Sequence, residues 1–153
     1  MSGHSPQKIV IKTPVLFYSE HIRFELRNKN SIRQWLHNLI KTEGYTLGNI
    51  SFIFCSDKYL HKINLQYLNH DDYTDIITFD NANAKGIVES DIFISIQRVK
   101  ENAKALKIPF RDELHRVIAH GVLHLCGYKD KTPDAKRTMT TKEDYYLSLR
   151  PFL

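Results

Sequence analysis

The sequence is expected to fold as α+β, with a small mixed β-sheet packed against several helices and a metal site on a central helix. Three observations lead there. Strand-like alternation clusters early in the chain, while three consecutive helical patterns fill its later part. The chain has 153 residues, shows no internal repeat and carries no Pro/Gly/Ser-rich linker, so a single domain, 1–153, is expected. Two histidines four residues apart, His120 and His124, lie on one face of a predicted helix.

In chain order, Lys8 to Lys12 first alternates as a short strand. Ser31 to Thr42 places Ile32, Trp35, Leu36, Leu39 and Ile40 on one helical face, and Gly44 stops it. Asn49 to Cys55 (NISFIFC) is rich in β-formers. Ser56 and Asp57 then cap a helix whose apolar residues are Leu60, Ile63, Leu65 and Leu68. Asp75 to Asp80 and Asp91 to Ile96 are two further strands, separated by the turn-forming run NANAKG, and pair as a hairpin or as neighbours. Helices are expected from about Gln97 to Leu106, Arg111 to Cys126 and Pro133 to Leu149, the last with Thr132 as N-cap.

Composition narrows the class. Hydrophobic residues at 42% and charged residues at 25%, with six Gly and five Pro, argue against disorder and against a fibrous repeat. The net charge of +5 leans toward a polyanionic partner without specifying one. Cys55 and Cys126 match no disulfide framework or paired-thiol motif, which points to a reducing, cytoplasmic setting. The N-terminus lacks a secretory apolar core, and no stretch reaches the roughly 20 apolar residues that span a bilayer, so no membrane partner is expected.

The chemistry concentrates in the segment HRVIAHGVLHLCGYKDK, His115 to Lys131. His120 and His124 project from one helical face and can reach a single ion. Gly127 can adopt a left-handed conformation that reverses the chain and returns Asp130 toward them. Such a pair can also be two unrelated surface or core histidines. Against that stand Val117, Ile118, Val122 and Leu125, which put the pair at the edge of a buried stripe where an unsatisfied imidazole is costly. Two imidazoles and one carboxylate leave a coordination position open, as catalytic zinc requires, and zinc lowers the pKa of a bound water to about 7. One Zn2+ per chain on His120, His124 and Asp130 is therefore expected, although the set also suits iron or nickel. His115 falls on another part of the helix and reads as an exposed polar residue. Glu113, two turns before His120, reads as a surface carboxylate. His120, His124, Gly127 and Asp130 share the 0, 4, 7, 10 spacing of metzincin proteases, but Gly121 stands where those enzymes carry their glutamate base.

The run HGVLHLCGY followed by Asp130 resembles the signature of the YbeY family of bacterial endoribonucleases, H-G-x-L-H-L-x-G-Y-D-H, with Lys129 in place of Asp and Asp130 in place of the third histidine. A second segment, INLQYLNHDDYTDIITF, resembles the family's L-N-x-x-Y-R-x-K-D-x-P-T-D-V-L-S-F at Asn64, Tyr67, Asp71, Thr74, Asp75 and Phe79. Leu68 replaces an arginine important for activity in that family, and His70 replaces a lysine. Asp91 in SDIFIS matches G-D-I-x-I-S. The resemblance implies a mixed sheet, a metal held in a cleft between helix and sheet, and single-stranded RNA as substrate. It also implies a part in ribosomal RNA maturation and ribosome quality control. The expected activity is zinc-dependent endoribonuclease cleavage in which water or a ribose 2′-hydroxyl attacks phosphorus. Asp75 is a candidate for orienting a ligand or handling a proton, in competition with a capping or turn role. Lys129 and Lys131 can partly replace the missing arginine as point charges, and Tyr67 and Tyr73 can stack on unpaired bases, unless these four are ordinary turn and packing residues. The alternatives are a metalloprotease-like hydrolase and a ribosome-associated metal-binding protein without catalysis.

Overall fold

The residues NISFIFC alternate so that Ile50, Phe52 and Phe54 point to one side, and this strand becomes the middle of the sheet. The structure, a computed structural model, describes residues 14–70 and 72–152. Its elements are β1 (Val15–Glu20), α1 (Lys29–Thr42), β2 (Thr46–Cys55), α2 (Asp57–Leu68), β3 (Ile76–Asp80), β4 (Ile87–Ser95), α3 (Ile96–Leu106), α4 (Phe110–Leu125) and α5 (Pro133–Ser148). The sheet runs β1-β2-β4-β3, with β1 and β4 parallel to β2 and β3 antiparallel to β4. The mixed sheet and the late helices are as expected. Its parallel half comes from helical crossovers, since α1 joins β1 to β2 and α2 lies between β2 and β4. The run NANAKG does close a β3–β4 hairpin, with Gly86 at φ 83°.

The two faces of the sheet are covered unequally. Ile50, Phe52, Phe54, Val88, Ile92 and Ile94 meet Trp35, Leu36 and Leu39 of α1, Leu114, Ile118 and Val122 of α4, and Met139 and Tyr146 of α5. The other face carries a small cluster in which Leu60 and Ile63 of α2 cover Cys55 and Ile77. With α2 alone on that side, its apolar residues Leu65 and Leu68 are exposed. The expected strand at Lys8 to Lys12 lies outside the described residues. The first described strand is β1, an edge strand whose Leu16 and Tyr18 face outward. Among the described residues no helix is long and apolar enough to cross a membrane.

Three caps set the helices that matter for the site. Ser56 accepts a hydrogen bond from the Tyr59 amide at the start of α2, and Thr132 accepts one from the Ala135 amide at the start of α5, both as expected. At the end of α4, Gly127 takes φ 97°. There the Tyr128 amide donates to the Leu123 carbonyl at 3.1 Å and the Gly127 amide to the His124 carbonyl at 3.0 Å, a paired closure that turns the chain back over the helix. α4 itself lies close to the sheet at Gly121, where an added Cβ would come within 2.7 Å of Ile76 Cδ1. The glycine thus brings the His120 and His124 face of α4 against the start of β3.

Candidate metal centre

Helix α4 and the glycine turn after it bring together the three residues expected as ligands. His120 Nε2 lies 3.2 Å and His124 Nε2 lies 3.3 Å from the same oxygen, Asp130 Oδ2. The two imidazoles are nearly perpendicular, with centroids 4.5 Å apart, and one donor atom from each of the three residues falls within 4.8 Å of the others. Bonds of about 2.0–2.1 Å at tetrahedral angles require donor atoms roughly 3.3–3.4 Å apart, so both histidine–carboxylate spacings suit a four-coordinate ion.

The outer nitrogens explain why the inner ones are available. Glu143 Oε2 lies 2.7 Å from His120 Nδ1, and the Tyr128 carbonyl lies 2.8 Å from His124 Nδ1. A carbonyl can only accept, and so can an ionised carboxylate, so each imidazole donates from Nδ1 and, in its neutral form, turns the lone pair of Nε2 inward. Two nitrogen lone pairs then converge on an anionic oxygen, an arrangement that a cation between them would satisfy. Burial works against a charged His120, but the hydrogen bond and negative charge of Glu143, with Asp130 and Asp75, raise its pKa above the usual value.

Glu143 was not among the expected site residues. It is buried on α5, and its other oxygen accepts from Arg116 Nη1 at 2.9 Å while Arg116 Nη2 donates to Asp144 at 2.9 Å. A signal existed in the sequence: Glu143 lies four positions after Met139 and three before Tyr146, which places a charge on the apolar face of its helix. A buried carboxylate in such a place needs partners.

The ligands open onto a cleft of about 500 Å³ lined also by Asn64, Leu68, His70, Asp75, Thr78 and Lys131, among others. Asp75 lies just before β3, where its carbonyl accepts from the Ser95 amide at 2.9 Å and Asn102 Nδ2 donates to its carboxylate at 3.3 Å. Burial raises its pKa, with His120 opposing. Behind the ligands a smaller cavity of about 290 Å³ is lined by Asp75, Glu113, Arg116, His120, Asp130 and Glu143, among others. Asp75 therefore borders both spaces.

Two expectations near the site are corrected. Glu113 is not a surface carboxylate: it is 5% exposed, its Oε1 has no hydrogen-bond partner, and burial, reinforced by Asp75, raises its pKa. His115 is not an exposed residue. It is 3% exposed, packs edge-on to Trp35 and Phe152, and accepts from Arg150 Nη1 at 2.8 Å, so burial and the Arg150 charge push its pKa down to about 4. Both errors have one cause, since α4 is the central helix and is covered along most of its circumference.

The expected RNA contacts divide. Lys131 lines the cleft, as do Leu68 and His70. Tyr73 does not line it, but stacks on His61 at 4.2 Å beneath the Arg98 guanidinium. Tyr67 borders a different cavity beside Phe79. Asp71, a residue of the second motif, lies outside the described residues.

Comparison with known proteins identifies the fold and the family. The fold is that of the solution structure of TM1509 from Thermotoga maritima, with a TM-score of 0.59 at 22% identity over 88% of this chain and 87% of that one. A protein of Cytophaga hutchinsonii named Endoribonuclease YbeY is 53% identical over 90% of this chain and 96% of its own length. One of the same name from Christiangramia forsetii is 47% identical over 90% of this chain and 95% of its own. The sequence profile of the family described as Endoribonuclease YbeY matches residues 17–149, so the chain belongs to the YbeY endoribonuclease family.

Proposed function

We propose that the protein is a metal-dependent endoribonuclease acting on single-stranded RNA, that its substrate is ribosomal RNA undergoing maturation, and that His120, His124 and Asp130 hold one Zn2+. The observation that carries this reading is the convergence of three donor atoms at the floor of an open cleft, with both histidines fixed through Nδ1. Two imidazoles and a carboxylate form a ligand set found at hydrolytic zinc sites, and the ion supplies a Lewis acid for a phosphoryl or attacking oxygen. Asp75, which lines the same cleft and has a raised pKa, would take a proton from the attacking hydroxyl or return one to the leaving oxygen. Lys131, at the rim, offers a charge for a phosphate. A ribosomal substrate puts this work in the cytoplasm, in keeping with free, buried thiols at Cys55 and Cys126.

One observation favours a second reading, binding to the ribosome without catalysis. Leu68, where the family carries an arginine, lines the cleft and offers no charge to a phosphate. A peptidase reading has no comparable support, because the position that would hold its base, Gly121, is packed against Ile76 and Thr78. The test incubates zinc-loaded protein and a His124→Ala variant with single-stranded ribosomal RNA fragments and maps the product ends. Cleavage by the parent alone supports the enzyme, and a 2′,3′-cyclic phosphate identifies the 2′-hydroxyl as nucleophile. Equal cleavage by both, or none by a parent shown by elemental analysis to hold zinc, refutes it.

A further inference from the structure

A carboxylate at the C-terminal end of a helix meets the negative pole of the helix dipole and is disfavoured there. Glu43 sits in that position, as the residue that closes α1, and its side chain is only 8% exposed. Its partners account for it. Tyr128 Oη donates to Oε1 at 2.6 Å, while Lys142 Nζ at 3.2 Å and Tyr146 Oη both donate to Oε2. Burial by itself would raise the pKa of Glu43, but these three donors hold it below the usual carboxylate value, so the group is an anion.

One of the three partners leads to the metal centre. Tyr128 belongs to the turn that Gly127 opens after α4, and its carbonyl accepts from His124 Nδ1. Its ring is held at one end by Glu43 and on its face by the Lys142 ammonium, 5.4 Å from the centroid. We propose that Glu43 is a positioning residue for His124, acting through Tyr128. Its grip on the hydroxyl sets the ring, the ring sets the turn, and the turn holds the carbonyl that keeps the proton of His124 on Nδ1 and leaves Nε2 for a divalent cation. This role rests on the ligand set proposed above. It gives α1, whose residues do not touch the ligands themselves, a part in the centre. It also gives consecutive residues of α5 separate tasks: Lys142 braces the His124 side and Glu143 holds His120.

The same carboxylate supplies an internal control. The Tyr146 hydroxyl binds Glu43 as the Tyr128 hydroxyl does, but Tyr146 is a buried core residue of α5 and no part of the glycine turn. The experiment measures Zn2+ affinity by competition with a chromogenic chelator, alongside thermal unfolding of the metal-free protein. It compares the parent with Glu43→Gln, Tyr128→Phe and Tyr146→Phe. Loss of a direct partner of a metal-ligating histidine costs roughly 10- to 100-fold in affinity, so partners one link further out are expected to cost roughly 3- to 10-fold. Glu43→Gln and Tyr128→Phe should each show that loss, and the double variant should lose little more than the worse single, because both break one chain of contacts. Tyr146→Phe should lower the melting temperature yet bind Zn2+ within about twofold of the parent. If Glu43→Gln does not fold, Tyr128→Phe decides alone. Parent-like affinity in Tyr128→Phe, or an equal loss in Tyr146→Phe, overturns the role of Glu43 while leaving the metal reading intact. A parent that binds no Zn2+ overturns both.

Discussion

Replacing Glu143 with glutamine changes one atom's chemistry while keeping the side chain's shape, and its two hydrogen-bond partners respond differently. The carboxylate accepts twice, from Arg116 Nη1 at 2.9 Å and from His120 Nδ1 at 2.7 Å. An amide offers one acceptor and one donor, so one of these partners must face an N–H. Arg116 is permanently charged and cannot yield, so the amide oxygen goes to the guanidinium and the NH2 group turns to His120. His120 can then remain neutral only by accepting at Nδ1 and carrying its proton on Nε2, the nitrogen that faces Asp130 and is needed by the metal. The expected loss of Zn2+ affinity is about 10- to 100-fold, or about 1.4–2.7 kcal/mol. The fold should lose less, on the order of 1 kcal/mol, because Arg116 is part-exposed and retains Asp144. Chelator competition measures the affinity, and nitrogen NMR of the metal-free protein reports which ring nitrogen of His120 carries the proton. A Gln variant that binds Zn2+ within about twofold of the parent, with the His120 proton still on Nδ1, would refute the reasoning.

Two further outcomes concern His115 and Leu68. The folded pKa of His115, about 4, lies below the ordinary value of 6.5, so between those limits the unfolded chain binds the extra proton and stability falls as pH falls. The contribution lost between pH 7 and pH 5 is about 2 kcal/mol. Urea denaturation at both pH values should show that loss reduced in His115→Gln, whose amide oxygen can still accept from Arg150. An equal loss in both proteins would show that another group is responsible. At the cleft, Leu68→Arg should raise kcat/KM on single-stranded RNA roughly tenfold, about the worth of one charge-assisted hydrogen bond to a phosphate. A folded variant with unchanged or lower kcat/KM would show that position 68 does not reach the substrate.

The parts of this site that were legible in the sequence are those whose logic is local. His120 and His124 share a helical face, Gly127 is a helix stop, and Asp130 comes within one turn of reversed chain. These facts need no knowledge of the rest of the molecule. The residues that hold the ligands come from far away: Glu143 lies 23 positions from His120, and Glu43 lies 85 from Tyr128. Spacing carries no information at such separations. Only the presence of a charge on an apolar helical face marked Glu143, and only an acidic residue at a helix C-terminus marked Glu43. Glu113 and His115 were misplaced because polar residue types are usually exposed, a rule that fails on a helix surrounded by α1, α3 and α5. Leu65 and Leu68 are apolar yet exposed, because a single helix on the outer face of the sheet cannot bury all of its own apolar residues.

As the proposed third ligand, Asp130 changes the electrostatics of the cleft as well as the donor set. Two neutral imidazoles and a carboxylate around a dication sum to +1, whereas three imidazoles, the family's usual set, would sum to +2. The same cleft has Leu68 and His70 where the family has basic residues, and both line it here. These differences all make the cleft less attractive to a phosphate. The overall charge of +5 is a sum over the whole chain, whereas attraction at a phosphate depends mainly on charges within about a Debye length of it, roughly 8–10 Å. Among the described residues lining the cleft, Lys131 is the one lysine or arginine side chain, and it comes directly after Asp130 in the chain. Under the proposed function, the turn that delivers Asp130 to the metal also delivers this charge. Any movement of that turn would shift both together, so the proposed function and the proposed role of Glu43 together expect metal affinity and substrate affinity to be coupled through Gly127, Tyr128 and the carboxylate of Glu43.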